Sequence, residues 1–382
     1  MDSRLTIIFF FSLLSLIVLR KLAKKVALVD IPTARKQHQG SIPLIGGISI
    51  FLSVCLAIAI MPAAMPHSTL YLLSAFILVT VGVIDDKYDI SVKARLLVQT
   101  IVSITMITVG SMSLNQLGDI AGFGDLALNN TASYFVTTLA IIGAINAFNM
   151  VDGIDGLLGG LAAVTFSSLG ILFLANNQVH LFQFCLVIVT AAIPYIMLNL
   201  GFPFGQRYKV FMGDAGSIFI GFTVIWLLIC GSQTVDSSPL GNSTLDTSAL
   251  NDPAFRPVTA LWLIALPLMD MATIMIRRIR KGQSPFKPDR EHLHHICQRL
   301  GLTPRMTLIC ICSFASLLAY VGIIGEQYQV AESIMFVSFV MVFVIYYTTI
   351  CHIWRITTFI RQKLTSDMVT AKNDNPRGNI PK

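Results

Sequence analysis

Charge is what this chain has least of. Asp, Glu, Lys and Arg make up 12% of its 382 residues, against 54% hydrophobic, where a soluble domain carries about a quarter charged residues. That balance excludes an ordinary solvated globular protein. The seven cysteines, Cys55, Cys185, Cys230, Cys297, Cys310, Cys312 and Cys351, include no CxxC pair and no Cys/His set at zinc spacing. Most lie in apolar runs and read as small buried side chains. There is no fixed-period repeat, and no connection between apolar runs has room for a soluble domain. A basic domain with interleaved aromatics is also missing, so nucleic acid is not an expected partner. The first apolar run, LTIIFFFSLLSLIVL, lacks a small-residue cleavage site after it; RKLAKK follows instead. It reads as a retained first helix whose C-terminal end is cytoplasmic.

What is abundant is membrane-length apolar sequence. Runs near 4–20, 43–61, 68–84, 96–112, 132–148, 157–175, 180–200, 216–233, 257–276, 307–325 and 332–352 predict eleven spans. Each should be helical, because the hydrocarbon core offers no partner to open backbone groups. The expected fold is therefore an all-α polytopic membrane protein. An odd span count puts the termini on opposite sides, the N-terminus outside (periplasmic) and the C-terminus in the cytoplasm. Of the 27 lysines and arginines, all but Arg4 and Arg256 then fall on the cytoplasmic side, as the positive-inside rule requires. The net charge of +7 is thus a topological signal. On the outer side, NQLGDIAGFGDLALN suggests a short hairpin across a Gly-Phe-Gly turn.

The unusual polar clusters all fall on the inner side of this topology. VIDDKYDISVKAR presents Asp85, Asp86 and Asp89 beside Lys93 and Arg95. NAFNMVDGIDGL presents Asn146, Asn149, Asp152 and Asp155. GQRYKVFMGDAGS presents Arg207, Lys209 and Asp214; PLMDM places Asp270 in an apolar run; RKGQSPFKPDREHLHH carries Arg290, His292, His294 and His295. Each also has a structural explanation. Asp85–Asp86 would mark a helix end, Asp152 or Asp155 would cap the sixth span, Asp214 would cap the eighth, and Asp270 would pair with a loop arginine. The basic loop would anchor the inner surface. Against these stands a joint argument. Adjacent acids at a membrane mouth repel and call for a nearby cation. Hard oxygen ligands favour Mg²⁺ or Mn²⁺. Arginines and histidines in a basic, proline-punctuated loop suit a phosphate or nucleotide, and no Cys or carboxylate is spaced to close a zinc site around the histidines.

In this order VIDD, NAFNMVDGIDGL, VFMGDAGS, PLMD and HLHH resemble the polyprenyl-phosphate N-acetylhexosamine-1-phosphate transferases over nearly the whole chain. The resemblance implies transfer of a sugar 1-phosphate from a UDP-sugar to a polyprenyl phosphate, with release of UMP and need for Mg²⁺ or Mn²⁺. The MurNAc-pentapeptide branch has three adjacent histidines followed by an acid; here His292-Leu293-His294-His295 follows Glu291, which favours the N-acetylglucosamine branch. The implied partners are UDP-GlcNAc, undecaprenyl phosphate and membrane lipid, with homo-oligomerisation left open. The implied product is a lipid-linked sugar diphosphate that starts a cell-surface polysaccharide. UDP-GalNAc stays open as the donor.

Roles carried over from the resemblance are these. Asp214 and Asn149 are the expected metal ligands. Asp85, with Asp86 beside it, is expected to ready or position the lipid phosphate. Asp152 and Asp155 are expected to act in the UDP-sugar site, with Asp155 meeting the nucleoside. Lys93, Arg95, Arg290, His292, His294 and His295 are the expected substrate-binding groups. Residues 1–352 would form one transmembrane catalytic domain with active-site loops at 85–95, 149–156, 201–215 and 277–306, and 353–382 a basic, disordered cytoplasmic tail. A cation-coupled transporter is the competing class, but its acids should lie near mid-bilayer in two related halves.

Overall fold

Polar residues placed just ahead of apolar runs start several of the helices. Ser91 accepts from the Ala94 amide, Asn129 from that of Ala132, and Thr303 from that of Met306, each satisfying an N–H that the first helical turn leaves open. The computed structural model describes residues 3–31, 40–61, 67–234, 253–285 and 292–373, with side chains as far as Ile353. Its helices are α1 (Ser3–Lys25), α2 (Gly46–Ile60), α3 (Ser68–Tyr88), α4 (Val92–Gly110), α5 (Asn130–Val151), α6 (Leu157–Ala175), α7 (Val179–Asn199), α8 (Asp214–Ser232), α9 (Pro257–Leu263), α10 (Ala265–Arg280), α11 (Leu293–Arg299), α12 (Pro304–Gln327) and α13 (Glu332–Asn373).

Among the described residues, nine helices are long and apolar enough to cross a membrane, and the chain is a polytopic helical membrane protein. All eleven expected runs carry helix, but two differ from the expectation. The second run gives α2, with 15 residues, or roughly 23 Å at 1.5 Å per residue, short of a core about 30 Å thick. The ninth is not one helix: α9 and α10 meet at an 80° bend. Pro267 explains the break. It has no N–H to offer the carbonyl of Leu263, four residues back, and its ring crowds that carbonyl. Leu263 is the last residue of α9.

The chain divides into two units, one through Val337 and one from Ser338; the second consists of the rest of α13, which continues to Asn373. Residues 374–382, the end of the expected tail, lie outside the described residues.

The first unit is organised around α8. Every residue of α8 from Ala215 to Ser232 is buried, as suits a helix that is apolar all round. Its neighbours approach through residues without side chains. A Cβ on Gly47 of α2 would lie 2.0 Å from the Cα of Gly216, and one on Gly82 of α3 would lie 2.3 Å from the Cα of Ala215. Close backbone approach of this kind is the usual packing of helices in lipid. At the middle of α8, Tyr71 donates or accepts one hydrogen bond with Thr223 at 2.8 Å and packs on Phe184, Phe222 and Trp226.

Among the described residues, non-helical structure is minor. Strands β1 (Val29–Asp30) and β2 (Ile42–Pro43) pair antiparallel. The chain then meets residues 211–212: Ile45 and Gly46 donate to the Phe211 carbonyl and Gly47 to that of Met212. Those carbonyls stand in for the side-chain cap α2 lacks, and they hold the segment before α8 in place. On the far side of the bundle, Gln116 bridges Ala127 antiparallel, and Asp119 accepts from the Gly124 amide across the expected turn. Arg256, one of the two cations expected off the inner side, pairs with Glu326 at 3.2 Å and donates to the carbonyls of Val330 and Gly325.

Candidate active site

The start of α8 lacks a cap of its own. Gly213 occupies the N-cap position with φ +76 and no side chain. The missing acceptor comes from another helix. The carboxylate of Asp86, near the end of α3, accepts from the Asp214 amide at 2.7 Å and the Ala215 amide at 3.2 Å. A Cβ on Gly213 would lie 2.4 Å from Asp86 Oδ2, so both the positive φ and the close approach demand glycine here.

Because Asp86 serves as the cap, the side chain of Asp214 does not. It stays 39% exposed. Its Oδ1 accepts from Asn149 Nδ2 at 2.8 Å, and the same amide donates to Ser217 Oγ at 2.8 Å. Its Oδ2 lies 4.0 Å from Arg95 Nη1. That nitrogen donates to Asp85 Oδ2 at 2.6 Å, while Asp85 Oδ1 accepts from the Ile90 amide at 2.9 Å and so closes the α3–α4 turn. Asp85 is buried. Lys93 is exposed in the first turn of α4. Asp85, Asp86, Arg95, Asn149 and Asp214 therefore meet at one helix start, although they come from four helices.

Three carboxylates face a single guanidinium in this cluster, an imbalance that favours a further cation. Among the described residues, no group of three or more His, Cys, Asp or Glu side chains is placed to hold a metal ion by itself. Mg²⁺ is usually held by one or two carboxylates together with substrate phosphates and water. A half-exposed carboxylate beside a carboxamide, all hard oxygen donors, fits that manner of binding.

The α5–α6 turn continues the site. Asp152 is the C-cap residue of α5 and is exposed. Asp155 pairs with Lys209 at 2.6 Å. Neither caps α6: its N-cap is Gly156, whose amide donates to Asn199 Oδ1, while Asn199 Nδ2 donates to the Val210 carbonyl at 2.8 Å. One buried carboxamide thus ties the start of α6, the end of α7 and the strand-like segment before α8. Removing it leaves a buried N–H and C=O unpaired, at about 1–3 kcal/mol each. Asn199→Ala is accordingly expected to lower the thermal unfolding midpoint in detergent by several degrees; an unchanged midpoint would remove Asn199 from this role.

The histidines reach the same turn. The ring of His294 lies where a Cβ on Gly153 would be, 2.1 Å from its Nε2. It stacks on His292 at 5.6 Å and 12°, and His295 is 4.2 Å away. Burial, then the neighbouring His295 and His292, push the His294 pKa down to about 3, so this ring is neutral at cellular pH. Asp270 of α10 accepts from the Leu293 amide at 3.2 Å and pairs with His292 Nδ1 at 3.0 Å. Arg290 lies outside the described residues.

Comparison with known proteins bears on this geometry. The model of the family described as glycosyl transferase family 4 matches residues 68–232. A protein of Yersinia pestis named undecaprenyl-phosphate alpha-N-acetylglucosaminyl 1-phosphate transferase is 48% identical over 363 residues, 95% of this chain and 94% of its own length. The chain belongs to glycosyl transferase family 4. Proteins of the same name from Escherichia coli strain K12 and Haemophilus influenzae are 47% and 45% identical, over 93% and 91% of this chain and 92% and 94% of their own lengths. The family match spans α3 to α8 and so contains Asp85, Asp86, Lys93, Arg95, Asn149, Asp152, Asp155 and Asp214, while the histidine loop lies beyond it.

Asn199 and Ser217 of this family member join the cluster without having been singled out in the sequence, and Lys209 and Asp270, named there among the inner-side polar residues, gain the partners Asp155 and His292. Asn199 was visible as a polar residue closing an apolar run, and Ser217 as the last residue of GDAGS. Their partners are far away in sequence, and no local pattern names them.

Proposed function

We propose that this chain transfers GlcNAc 1-phosphate from UDP-GlcNAc to undecaprenyl phosphate, forming a lipid-linked sugar diphosphate and UMP. The observation that carries the reading is the meeting of Asp85, Asp86, Arg95, Asn149 and Asp214 at the start of α8. It occurs in a chain about half identical, along nearly its full length, to proteins named for that transfer. An oxygen of the lipid phosphate attacks the β-phosphorus of the nucleotide sugar. The new P–O bond forms as the bond from that phosphorus to the bridging oxygen breaks, and UMP departs with the electron pair. A phosphate monoester with its second pKa near ~6 is mostly dianionic at neutral pH, so the acceptor needs placing more than it needs deprotonating.

Arg95, its guanidinium fixed by Asp85, and Lys93 hold the lipid phosphate. Asp86 keeps the start of α8 in register and thereby aims Asp214. Asp214 and Asn149 would hold Mg²⁺ or Mn²⁺, which when bound would offset diphosphate charge. Asp152, Asp155 and Lys209 shape the nucleotide end, and Arg290, His292, His294 and His295 grip the sugar or diphosphate. The membrane is the bacterial inner membrane, crossed eleven times when the short α2 and the bent α9–α10 pair are each counted as a crossing, with the N-terminus periplasmic and this cluster on the cytoplasmic face. The split of cations supports that orientation, because Lys93, Arg95 and Lys209 lie at the same end of the bundle as the acids.

A substrate panel tests the reading. Purified protein with Mg²⁺, undecaprenyl phosphate and UDP-GlcNAc is expected to release UMP in step with lipid-linked sugar, faster than with UDP-GalNAc, and EDTA is expected to stop it. Release from another UDP-sugar but not UDP-GlcNAc would overturn the donor; release from none would overturn the reaction.

A further inference from the structure

We propose that Asp270 is a positioning residue for the transfer, acting through His292. The inference rests on the reading of the histidine loop as part of the UDP-sugar site. Asp270 is 2% exposed, on a helix held in the core by Met269, Met271 and Ile274. A carboxylate in such a place needs close partners. Its two oxygens take different ones: Oδ1 accepts from the Leu293 amide at 3.2 Å, and Oδ2 meets His292 Nδ1 at 3.0 Å. Leu293 opens α11, whose N-cap residue His292 offers no side-chain acceptor. Asp270 therefore anchors the backbone of the histidine loop and the ring of its first histidine at once.

The chemistry of that contact sets the tautomer. An ionised carboxylate only accepts, so the hydrogen between it and the ring belongs to Nδ1. Nε2 is left as an acceptor, suited to a hydroxyl or N–H of the sugar, and it can donate to a phosphate only when the ring takes a second proton. The ring so fixed is the base on which His294 stacks, and His294 in turn lies against Gly153 in the Asp152–Asp155 turn. One buried carboxylate on α10 thus determines how the histidine loop seats over the α5–α6 turn. Asn at this position keeps the size but can accept through only one atom. Its oxygen is claimed by the Leu293 amide, and its NH₂ then faces Nδ1, forcing the ring proton to Nε2.

Two measurements test this. Nitrogen-15 NMR of histidine-labelled protein, with His292→Gln identifying the signals, is expected to show neutral His292 protonated at Nδ1, and at Nε2 in Asp270→Asn. Protonation at Nε2 in the unaltered protein would overturn the proposal, and this readout needs no substrate. In the UMP-release assay, Asp270→Asn is expected to lower kcat about 100-fold, a wrong-tautomer effect, with KM for UDP-GlcNAc changed less than about threefold. The double variant Asp270→Asn/His292→Gln is expected to be no slower than His292→Gln alone. Multiplying losses would mean that Asp270 acts elsewhere and would also overturn it. No UMP release from the unaltered protein would instead overturn the functional reading, and the NMR result would then decide whether Asp270 sets the His292 tautomer.

Discussion

Asp214→Asn is expected to lower turnover about 1000-fold, equivalent to about 4 kcal/mol of transition-state stabilisation, with little change in folding. The expectation follows from the division of labour at the start of α8. If Asp214 capped its own helix, the substitution would act through stability. Here the amides of Asp214 and Ala215 are served by Asp86, and the Asp214 side chain is 39% exposed with Asn149 and Arg95 around it. Asparagine keeps the volume and one oxygen but loses the charge. Its amide pairs with Asn149 after a flip of either group. The loss should therefore appear in kcat and in the Mg²⁺ concentration needed for half-maximal UMP release, with the thermal midpoint nearly unmoved. An unchanged Mg²⁺ titration would remove Asp214 from the metal's ligands. A collapsed midpoint would mean that the residue is structural after all.

Gly82→Ala is expected to disable the protein from a position that bears no chemistry. Its added Cβ would lie 2.3 Å from Ala215 Cα and 2.5 Å from Ala215 N, and backbone in a packed core cannot step aside. Overpacking of this kind costs about 1–3 kcal/mol. Asp86 follows Gly82 by one helical turn and so shares its face of α3. Pushing α3 away from α8 therefore also draws the Asp86 carboxylate off the amides it caps. We expect a lower thermal midpoint together with at least a 10-fold loss of UMP release, since a displacement of about 1 Å in a catalytic arrangement can cost 10²-fold. Gly143→Ala is the control: its nearest neighbour would be Met271 Cε at 4.0 Å. Alanine also favours helix, so this variant is expected to match the original within about 0.5 kcal/mol. Equal behaviour of the two variants would refute the account of α3–α8 packing.

Both expectations turn on contacts between distant segments, and that marks where sequence reading stops. The helical runs were legible because burial in lipid imposes length and apolarity locally. The bend at Ile264 escaped, although Pro267 was in view, because proline within an apolar run is compatible with either a kink or a full break. The acids could be named as candidates from spacing and charge. Their local explanations could not be decided in the same way. Asp152 and Asp155 are well placed in sequence to cap α6, yet the α6 amide is taken by Asn199, some forty residues on.

By itself the amino-acid sequence determined a polytopic helical membrane protein and the set of acids, amides and histidines available for phosphate chemistry, since hydropathy and charge are properties of each segment alone. Only the tertiary structure decided which carboxylate caps a helix and which keeps its side chain exposed. Asp86 and Asp214 have the same side chain; what separates their roles is that α3 crosses the start of α8 closely enough, at Gly82 and Gly213, for one carboxylate to satisfy the other residue's backbone.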